Sequence, residues 1–170
     1  MADEIINKVA NSSLINLDLE EFYPEGPRVV FDLKDWLYEE LILKEKDFRQ
    51  NLKEHDWSQY DGKYVAMTCT ADAIVPSWAY LLVATYLQPV AKKVIHGSLA
   101  DLDQILYTEI INALPIEDFI DGKIIVKGCS RKPVPESAYI QLIEKIQPVA
   151  NSLMFGEACS TVPLYKKKKA

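Results

Sequence analysis

Between residues 61 and 156, the spacing of apolar positions alternates regularly between a strand pattern and a helix pattern. Short apolar runs of strand length alternate with longer segments in which apolar residues recur every three or four positions, the spacing of a helix face. Prolines flank two of the helical segments, where a fixed φ suits the first turn or ends the helix. The pattern predicts the order β-α-β-α-β-α-β, which is typical of a parallel sheet with right-handed crossovers and helices on its faces.

The predicted elements can be given as residue ranges. Helices are predicted over 76–88, 98–114 and 135–147, the second with Ser98 as its cap. Strands are predicted at 64–67, 93–96, 124–126 and 153–155.

Two parts of this region share their sequence. Residues 61–97 and 121–156 contain, in the same order, Asp-Gly-Lys, a cysteine followed by Thr or Ser, Val-Pro, Ala-Tyr and Gln-Pro-Val-Ala. The offset between matching residues is 60 up to the cysteine and 59 from Val-Pro onward, so the loop after the second cysteine is expected to be one residue shorter. This repetition indicates an internal duplication of a β-α-β unit.

The N-terminal region, 1–60, carries a weaker pattern, which leaves its architecture open. A short helix is predicted at 4–12, strands at 14–22 and 28–34, and a charged surface helix at 45–55, while 34–43 fits a helix or a strand. We therefore predict a single α/β domain over 1–165. It comprises an α+β extension at 1–60 and a duplicated core at 61–165, followed by a basic, disordered tail at 166–170.

Composition and charge restrict the class of protein. The chain of 170 residues is 49% apolar and 26% charged, and its net charge is −6. These fractions are usual for a globular protein. An acidic surface repels phosphate backbones, so nucleic acid is not expected as a partner. No apolar run reaches the roughly 18 residues that span a bilayer. The chain also opens with acids rather than a basic and then apolar leader, so we expect a cytoplasmic protein without membrane contact.

Candidate chemistry lies at the three cysteines, Cys69, Cys129 and Cys159. The first two each follow a predicted strand and precede a helix, and Cys159 follows the last predicted strand in a similar Cys-Ser-x-Val-Pro sequence. Ligands of parallel sheets gather at the carboxyl ends of the strands. We expect the three thiols on one rim of the sheet, on neighbouring strands if the strand order within 61–156 is second, first, third, fourth.

Three uses of these thiols follow from cysteine chemistry. Converging thiolates form a soft site for zinc, iron, copper(I) or an iron–sulfur cluster. One thiolate alone could act as a nucleophile or carry sulfur. Cysteine also serves as a small, buried core residue. The predicted metal ligands are Cys69, Cys129, Cys159, Asp72 and Glu157, with His55 and His96 as less favoured additions.

Several stretches together resemble the domain of unknown function 2480 family of Bacteroidetes-type bacteria. They are "NLDLEEFYPEG", "LILKEKDFRQNLKEHDWSQYDGKYVAMTC", "ADAIVPSWAY", "KGCSRKPVPESAY" and "GEACSTVPLYKKKK". The resemblance extends over nearly the whole chain. The resemblance implies no assigned activity. It does imply an association with genes for iron–sulfur cluster assembly of the sulfur-mobilisation type, and hence iron–sulfur assembly proteins as partners.

The leading hypothesis is an accessory factor that uses the three strand-end cysteines to handle a metal, an iron–sulfur cluster or sulfur. A cysteine-dependent enzyme is the first alternative, although neither histidine lies near a cysteine along the chain. A non-catalytic interaction module is the second. In that case the acidic region 1–60, with 14 acidic and 7 basic side chains, would dock a basic partner and the cysteines would only pack.

Overall fold

The computed structural model describes residues 14–128 and 131–168. Its strands are β1 (Leu14–Leu17), β2 (Arg28–Asp32), β3 (Tyr64–Thr68), β4 (Lys93–His96), β5 (Lys123–Val126), β6 (Ser152–Glu157) and β7 (Ser160–Lys166). Its helices are α1 (Glu45–Glu54), α2 (Ser77–Leu87), α3 (Leu99–Ala113) and α4 (Glu136–Ile146). The helix predicted at 4–12 lies outside the described residues.

The chain divides into two compact units. Among the described residues, Pro24–Leu106 form the central unit, and 14–23 together with 107–128 and 131–168 form the terminal unit. Strands β1 and β2, from the region predicted to be an extension, each join a sheet of the duplicated part.

The central unit contains a parallel sheet in the order β2-β3-β4. Helices α1 and α2 bury one apolar face against it, through side chains such as Phe48 and Val83 that are almost inaccessible to solvent. The opposite face of the sheet packs against the first half of α3 through Leu102 and Leu106. Both faces of β3 are therefore covered, which explains its uninterrupted apolar sequence.

The terminal unit contains a sheet in the order β1-β5-β6-β7. The first three strands run parallel, and β7 is antiparallel to β6. The second half of α3 packs on this sheet through Tyr107 and Ile111, and α4 packs through Leu142 and Ile146. Tyr107 is fully buried, and its hydroxyl donates to the carbonyl oxygen of Leu19 over 3.1 Å, which satisfies the one polar group of the side chain.

The predicted α/β class and the order of elements over 61–156 are confirmed, but the predicted single sheet is wrong. Strand β3 pairs with β2 and β4, whereas β5 pairs with β1 and β6. Strands β3 and β5 are therefore not adjacent, although the predicted strand order required them to be. The error has a physical cause. Strands β1 and β2 each supply an edge to one copy of the duplicated unit, and their sequences carry no signal that says which partner they select.

Backbone register shows that the two copies correspond at a constant offset of 59. The pairs Val65↔Val94 and Ile124↔Leu153 occupy the same place in the two sheets, since 65 and 124, like 94 and 153, differ by 59. Gly62 donates to the carbonyl of Val90, as Asp121 does to that of Val149. Gly62 and Asp121 also share a left-handed backbone, with φ of 65° and 53°.

The shared Asp-Gly-Lys sequence is therefore one residue out of structural register, and the two connecting loops have the same length. Cys69 corresponds to Gly128, one position before Cys129. The two cysteines that match in sequence are not at equivalent positions, because a short local identity displaced the alignment by one residue.

Strand β7 is an element that the sequence pattern missed. It follows β6 through a tight turn that contains Cys159, and its partner β6 extends beyond the predicted 153–155. Lys166 ends β7, and the Lys167 backbone donates to the carbonyl of Asn151. Within the described ranges, no helix has the length and apolar character needed to cross a membrane.

Candidate functional site

Polar side chains collect where the strands of the central sheet end. Asp32 is the last residue of β2, Cys69 and Thr70 follow β3, and His96 ends β4. Tyr80 lies on α2, the crossover helix between β3 and β4. The carboxyl ends of parallel strands are the usual place for ligands and catalysis in such sheets. We call this group of five residues the Cys69 corner.

Asp32 connects β2 to the loop after β3. Its carboxylate accepts hydrogen bonds from the backbone N–H and the hydroxyl of Thr70, over 3.0 and 2.5 Å. It also caps the short 3-10 helix Leu33–Trp36 by accepting from the backbone N–H of Lys34 over 2.9 Å. Three donors thus fix the carboxylate and the loop that contains Cys69.

The carboxylate of Asp32 is held ionised. Partial burial by itself acts to raise its pKa, but the hydrogen bonds from Thr70 and from the Lys34 N–H outweigh burial and hold the pKa below its usual 3.8. Asp32 is therefore a fixed negative charge at neutral pH.

Tyr80 is the proton donor of the corner. Burial, followed by the charges of Cys69 and Asp32, raises the pKa of Tyr80 above its usual 10.0, so its hydroxyl stays protonated at neutral pH. Its ring meets the His96 ring edge to face, with centroids 4.6 Å apart. His96 itself is exposed to solvent.

Cys69 is a free, half-buried thiol at the centre of the corner. Its sulfur donates a long hydrogen bond of 3.9 Å to the carbonyl of Ala71, and its side chain packs against the core shared by β3, α1 and α2. The thiol is thus partly accessible, and its charge is one of the two that act on Tyr80.

The terminal unit provides an internal comparison, which we call the Phe155 corner. Phe155 stands in place of His96 and meets Tyr139 edge to face at 6.0 Å, as His96 meets Tyr80. Gly128 stands in place of Cys69, and a Cβ atom built there would lie 2.0 Å from the ring of Phe155. In the terminal unit the phenyl ring leaves no room for a side chain where the central unit has a thiol.

Among the other predicted ligands, Asp72 lies in the central unit with Cys69, whereas Glu157 and Cys159 lie in the terminal unit. Cys159 is exposed in the turn between β6 and β7, near Glu157, the exposed last residue of β6. Asp72 is exposed in the loop after Cys69, and Cys129 lies outside the described residues. The predicted common rim is wrong for Cys69 and Cys159, whose strands belong to different sheets. Across residues 14–128 and 131–168, no three His, Cys, Asp or Glu side chains form a group that could hold a metal ion.

The sequence contained a signal for Asp32 that local motif matching missed. Asp18 follows β1 and Asp32 ends β2, and each precedes a buried leucine, Leu19 or Leu33. Each aspartate caps a 3-10 helix by accepting from the backbone N–H two residues later. The repeat was difficult to recognise because only the aspartate and the leucine are identical.

We expect Asp32→Ala to lower the free energy of unfolding by about 1.5 kcal/mol, since three donors to a charged acceptor lose their partner. The matched variant Asp18→Ala should lower the free energy of unfolding by about 0.5 kcal/mol. The carboxylate of Asp18 accepts a hydrogen bond from the backbone N–H of Glu20, and its Oδ2 atom lies 3.8 Å from Lys127 Nζ. The folded-state pKa of Asp32 is depressed, so its contribution is full above pH 3.8 and lost as the pH falls below that. Urea unfolding at about pH 7 and about pH 3 measures both effects. Equal losses for the two variants at neutral pH would contradict this account.

The geometry defines a class: a duplicated α/β protein in which one copy keeps a polar, thiol-containing strand-end corner and the other fills it with a phenyl ring. The chain belongs to the family described as Protein of unknown function (DUF2480), whose sequence profile matches residues 3–167. No curated protein and no solved structure matches the chain.

Proposed function

We propose that the protein is a sulfur-handling factor in which Cys69 accepts and carries a sulfane sulfur atom. The observation that carries the proposal is the contrast between the two corners. At equivalent positions, the central unit has Cys69 and His96 where the terminal unit has Gly128 and Phe155. Cys69 is half-buried and not enclosed in the core, and it follows the carboxyl end of β3, where parallel sheets place ligands and catalytic groups.

The proposed step exchanges one sulfur–sulfur bond for another. The Cys69 thiolate attacks the outer sulfur of a donor persulfide, R–S–SH. The S–S bond of the donor breaks, its electron pair leaves with R–S⁻, and a new S–S bond forms at Cys69, giving Cys69–S–SH. The outer sulfur keeps its proton, so no oxidant or reductant is needed.

The neighbours of Cys69 have separate roles in this step. In the proposed step the hydroxyl of Tyr80, which is protonated at neutral pH, donates a hydrogen bond to the sulfur on which negative charge develops. Asp32 positions the loop through Thr70. The half-buried location protects the bound sulfur from bulk solvent while leaving one side open to a donor.

Ligation of a metal or an iron–sulfur cluster by all three cysteines stays a prediction. The described residues do not supply three ligands in one place, and Cys129 is not among them. The sulfur-carrying step depends only on the Cys69 corner. It also agrees with the sulfur-mobilisation association that the family resemblance implies.

The test uses the full, reduced chain and glutathione persulfide as the donor. After alkylation and digestion, mass spectrometry follows the gain of one sulfur atom at Cys69 and at Cys159 separately. We expect Cys69 to be loaded, and Tyr80→Phe to slow its loading about tenfold, the effect of losing one hydrogen bond to a charged group. Loading at the exposed Cys159 should not change with Tyr80→Phe.

Tyr139→Phe is the matched control, because it removes the equivalent hydroxyl from the corner that lacks the thiol. It should leave the rate at Cys69 unaltered. Sulfur found at Cys159 alone would overturn the proposal. So would a rate at Cys69 that Tyr80→Phe leaves unchanged in a folded variant, since the corner would then contribute nothing to the thiol.

A further inference from the structure

A second candidate site, which shares no residue with the Cys69 corner, lies in the central unit. It is a cleft of 450 Å³ that we call the Trp36 cleft. This volume is within the range of small-ligand sites. Its wall combines aromatic rings with carboxylates. The residues that line it are Asp35, Trp36, Asn51, Glu54, His55 and Tyr60.

The aromatic wall is rigid because it continues into the core. Trp36 stacks on the buried ring of Phe31 with centroids 5.2 Å apart, and Trp57 stacks on the same ring at 5.8 Å. The His55 ring contacts Trp36 and Trp57 edge to face at 4.9 and 4.8 Å. Tyr60 also directs its hydroxyl to within 3.2 Å of His55 Nε2.

The cleft presents negative and no positive charge among the described residues that line it. Asp35 and Glu54 are exposed carboxylates at its mouth. Burial lowers the pKa of His55 below its usual 6.5, and the neighbouring Asp56 offsets only part of this effect. The imidazole is therefore neutral at physiological pH and adds no cation to the site.

The adjoining groove already holds a cation of the chain itself against an aromatic ring. It shares Asp35, Trp36 and Asn51 with the cleft, and it adds Tyr38, Lys44 and Asp47. In this groove the Lys44 ammonium lies over the ring of Tyr38, 3.1 Å from its centroid. A cation on an aromatic face beside carboxylates is thus already present on one side of the shared wall.

We propose that the Trp36 cleft binds an arginine side chain from a basic segment of a partner protein. The inference goes beyond the proposed function, because the cleft contains neither Cys69 nor any other residue of its corner. The acidic and aromatic lining complements a basic partner, and it lies within the region of the chain that carries twice as many acidic as basic side chains.

Arginine fits this lining better than lysine does. Its flat guanidinium stacks on an aromatic ring while its five N–H donors reach carboxylates at the edge. Trp36 and Tyr60 line the cleft with aromatic rings, and Asp35 and Glu54 line it with carboxylates that can accept these hydrogen bonds. A lysine ammonium, which is strongly hydrated, would gain less from the same surroundings.

The test titrates the full chain with three acetylated peptides of equal length: hexa-arginine, hexalysine and hexacitrulline. Binding is measured by isothermal calorimetry and located by the indole N–H signals of Trp36 and Trp57 in NMR spectra. We expect hexa-arginine to bind, to shift the Trp36 signal, and to bind more tightly than hexalysine. Hexacitrulline, which has the same shape without the charge, should not bind.

Two substitutions at the mouth of the cleft test its carboxylates. The double variant Asp35→Asn with Glu54→Gln should weaken hexa-arginine binding about tenfold, since each exposed charge pair contributes modestly. Asp72→Asn is the control, because it removes one exposed charge from the same unit outside the cleft. It should reduce affinity no more than about twofold.

Several outcomes would overturn the inference. Hexalysine binding as tightly as hexa-arginine would remove the preference for a guanidinium. A loss with Asp72→Asn as large as with the double variant would show only general attraction to an acidic surface. Absence of a Trp36 shift, or of binding by hexa-arginine, would remove the site itself. None of these outcomes bears on sulfur loading at Cys69, so the two proposals fail separately.

Discussion

Phe31→Ala should lower the free energy of unfolding of the central unit by about 4 kcal/mol, the largest effect we expect from one substitution. Phe31 is only 2% exposed, and its ring contacts Trp36, Trp57 and Tyr60 at centroid distances of 5.2, 5.8 and 5.9 Å. Alanine would leave a cavity beneath the aromatic wall, and the surrounding rings cannot all close it.

Urea unfolding followed by tryptophan fluorescence measures this loss selectively. The chain has three tryptophans, and Trp36, Trp57 and Trp78 all lie in the central unit. Phe31→Leu is the control, since it keeps most of the volume and should cost about 1 kcal/mol. A loss below about 1 kcal/mol for Phe31→Ala would mean that the aromatic cluster repacks and does not form a rigid wall.

Gly128→Val should destabilise the terminal unit by about 3 kcal/mol, because the new side chain overpacks its surroundings. A Cβ atom at this position would lie 2.0, 2.4 and 2.8 Å from three atoms of the Phe155 ring, so the ring must move out of its contact with Tyr139. Adding Phe155→Ala should recover a large part of that loss, because the obstructing ring is gone. The two substitutions should therefore couple by about 2 kcal/mol.

Far-UV circular dichroism during urea unfolding reports on the helices of both units, whereas tryptophan fluorescence reports on the central unit alone, because the terminal unit has no tryptophan. A loss seen by circular dichroism but not by fluorescence therefore belongs to the terminal unit. Cys69→Val is the matched control at the equivalent position, where a side chain is already present, and it should cost about 1 kcal/mol. Strictly additive effects of Gly128→Val and Phe155→Ala would contradict the contact. If the fluorescence transition is unchanged in Gly128→Val, the two units unfold independently.

The hydrophobic pattern predicted most individual elements because their signals are local. The helical periods at 76–88, 98–114 and 135–147 correspond to α2, α3 and α4, and the charged segment at 45–55 to α1. Pairing between strands is a property of distant residues, and both sheets depend on strands from the N-terminal region. The division of one expected sheet into two could not be derived from periodicity.

The candidate site was predictable only in part. Cys69 was identified from its place at a strand end. Tyr80, on the helix that follows Cys69, has a sequence counterpart in the second copy, Tyr139. The importance of Asp32 depends on its hydrogen bonds to Thr70, across two strands, which no local motif reports. The alignment of Cys69 with Cys129 was off by one residue, since identity over Asp-Gly-Lys outweighed a register that only the backbone displays.

Equal loop lengths in the two copies have a genetic consequence. Because the copies correspond at every compared backbone position without an insertion, gene conversion could transfer coding sequence from one half to the other without changing the length of the chain. Such a transfer from the terminal to the central half would replace Cys69 and His96 by glycine and phenylalanine. It would remove the Cys69 corner while leaving the length of the chain unchanged.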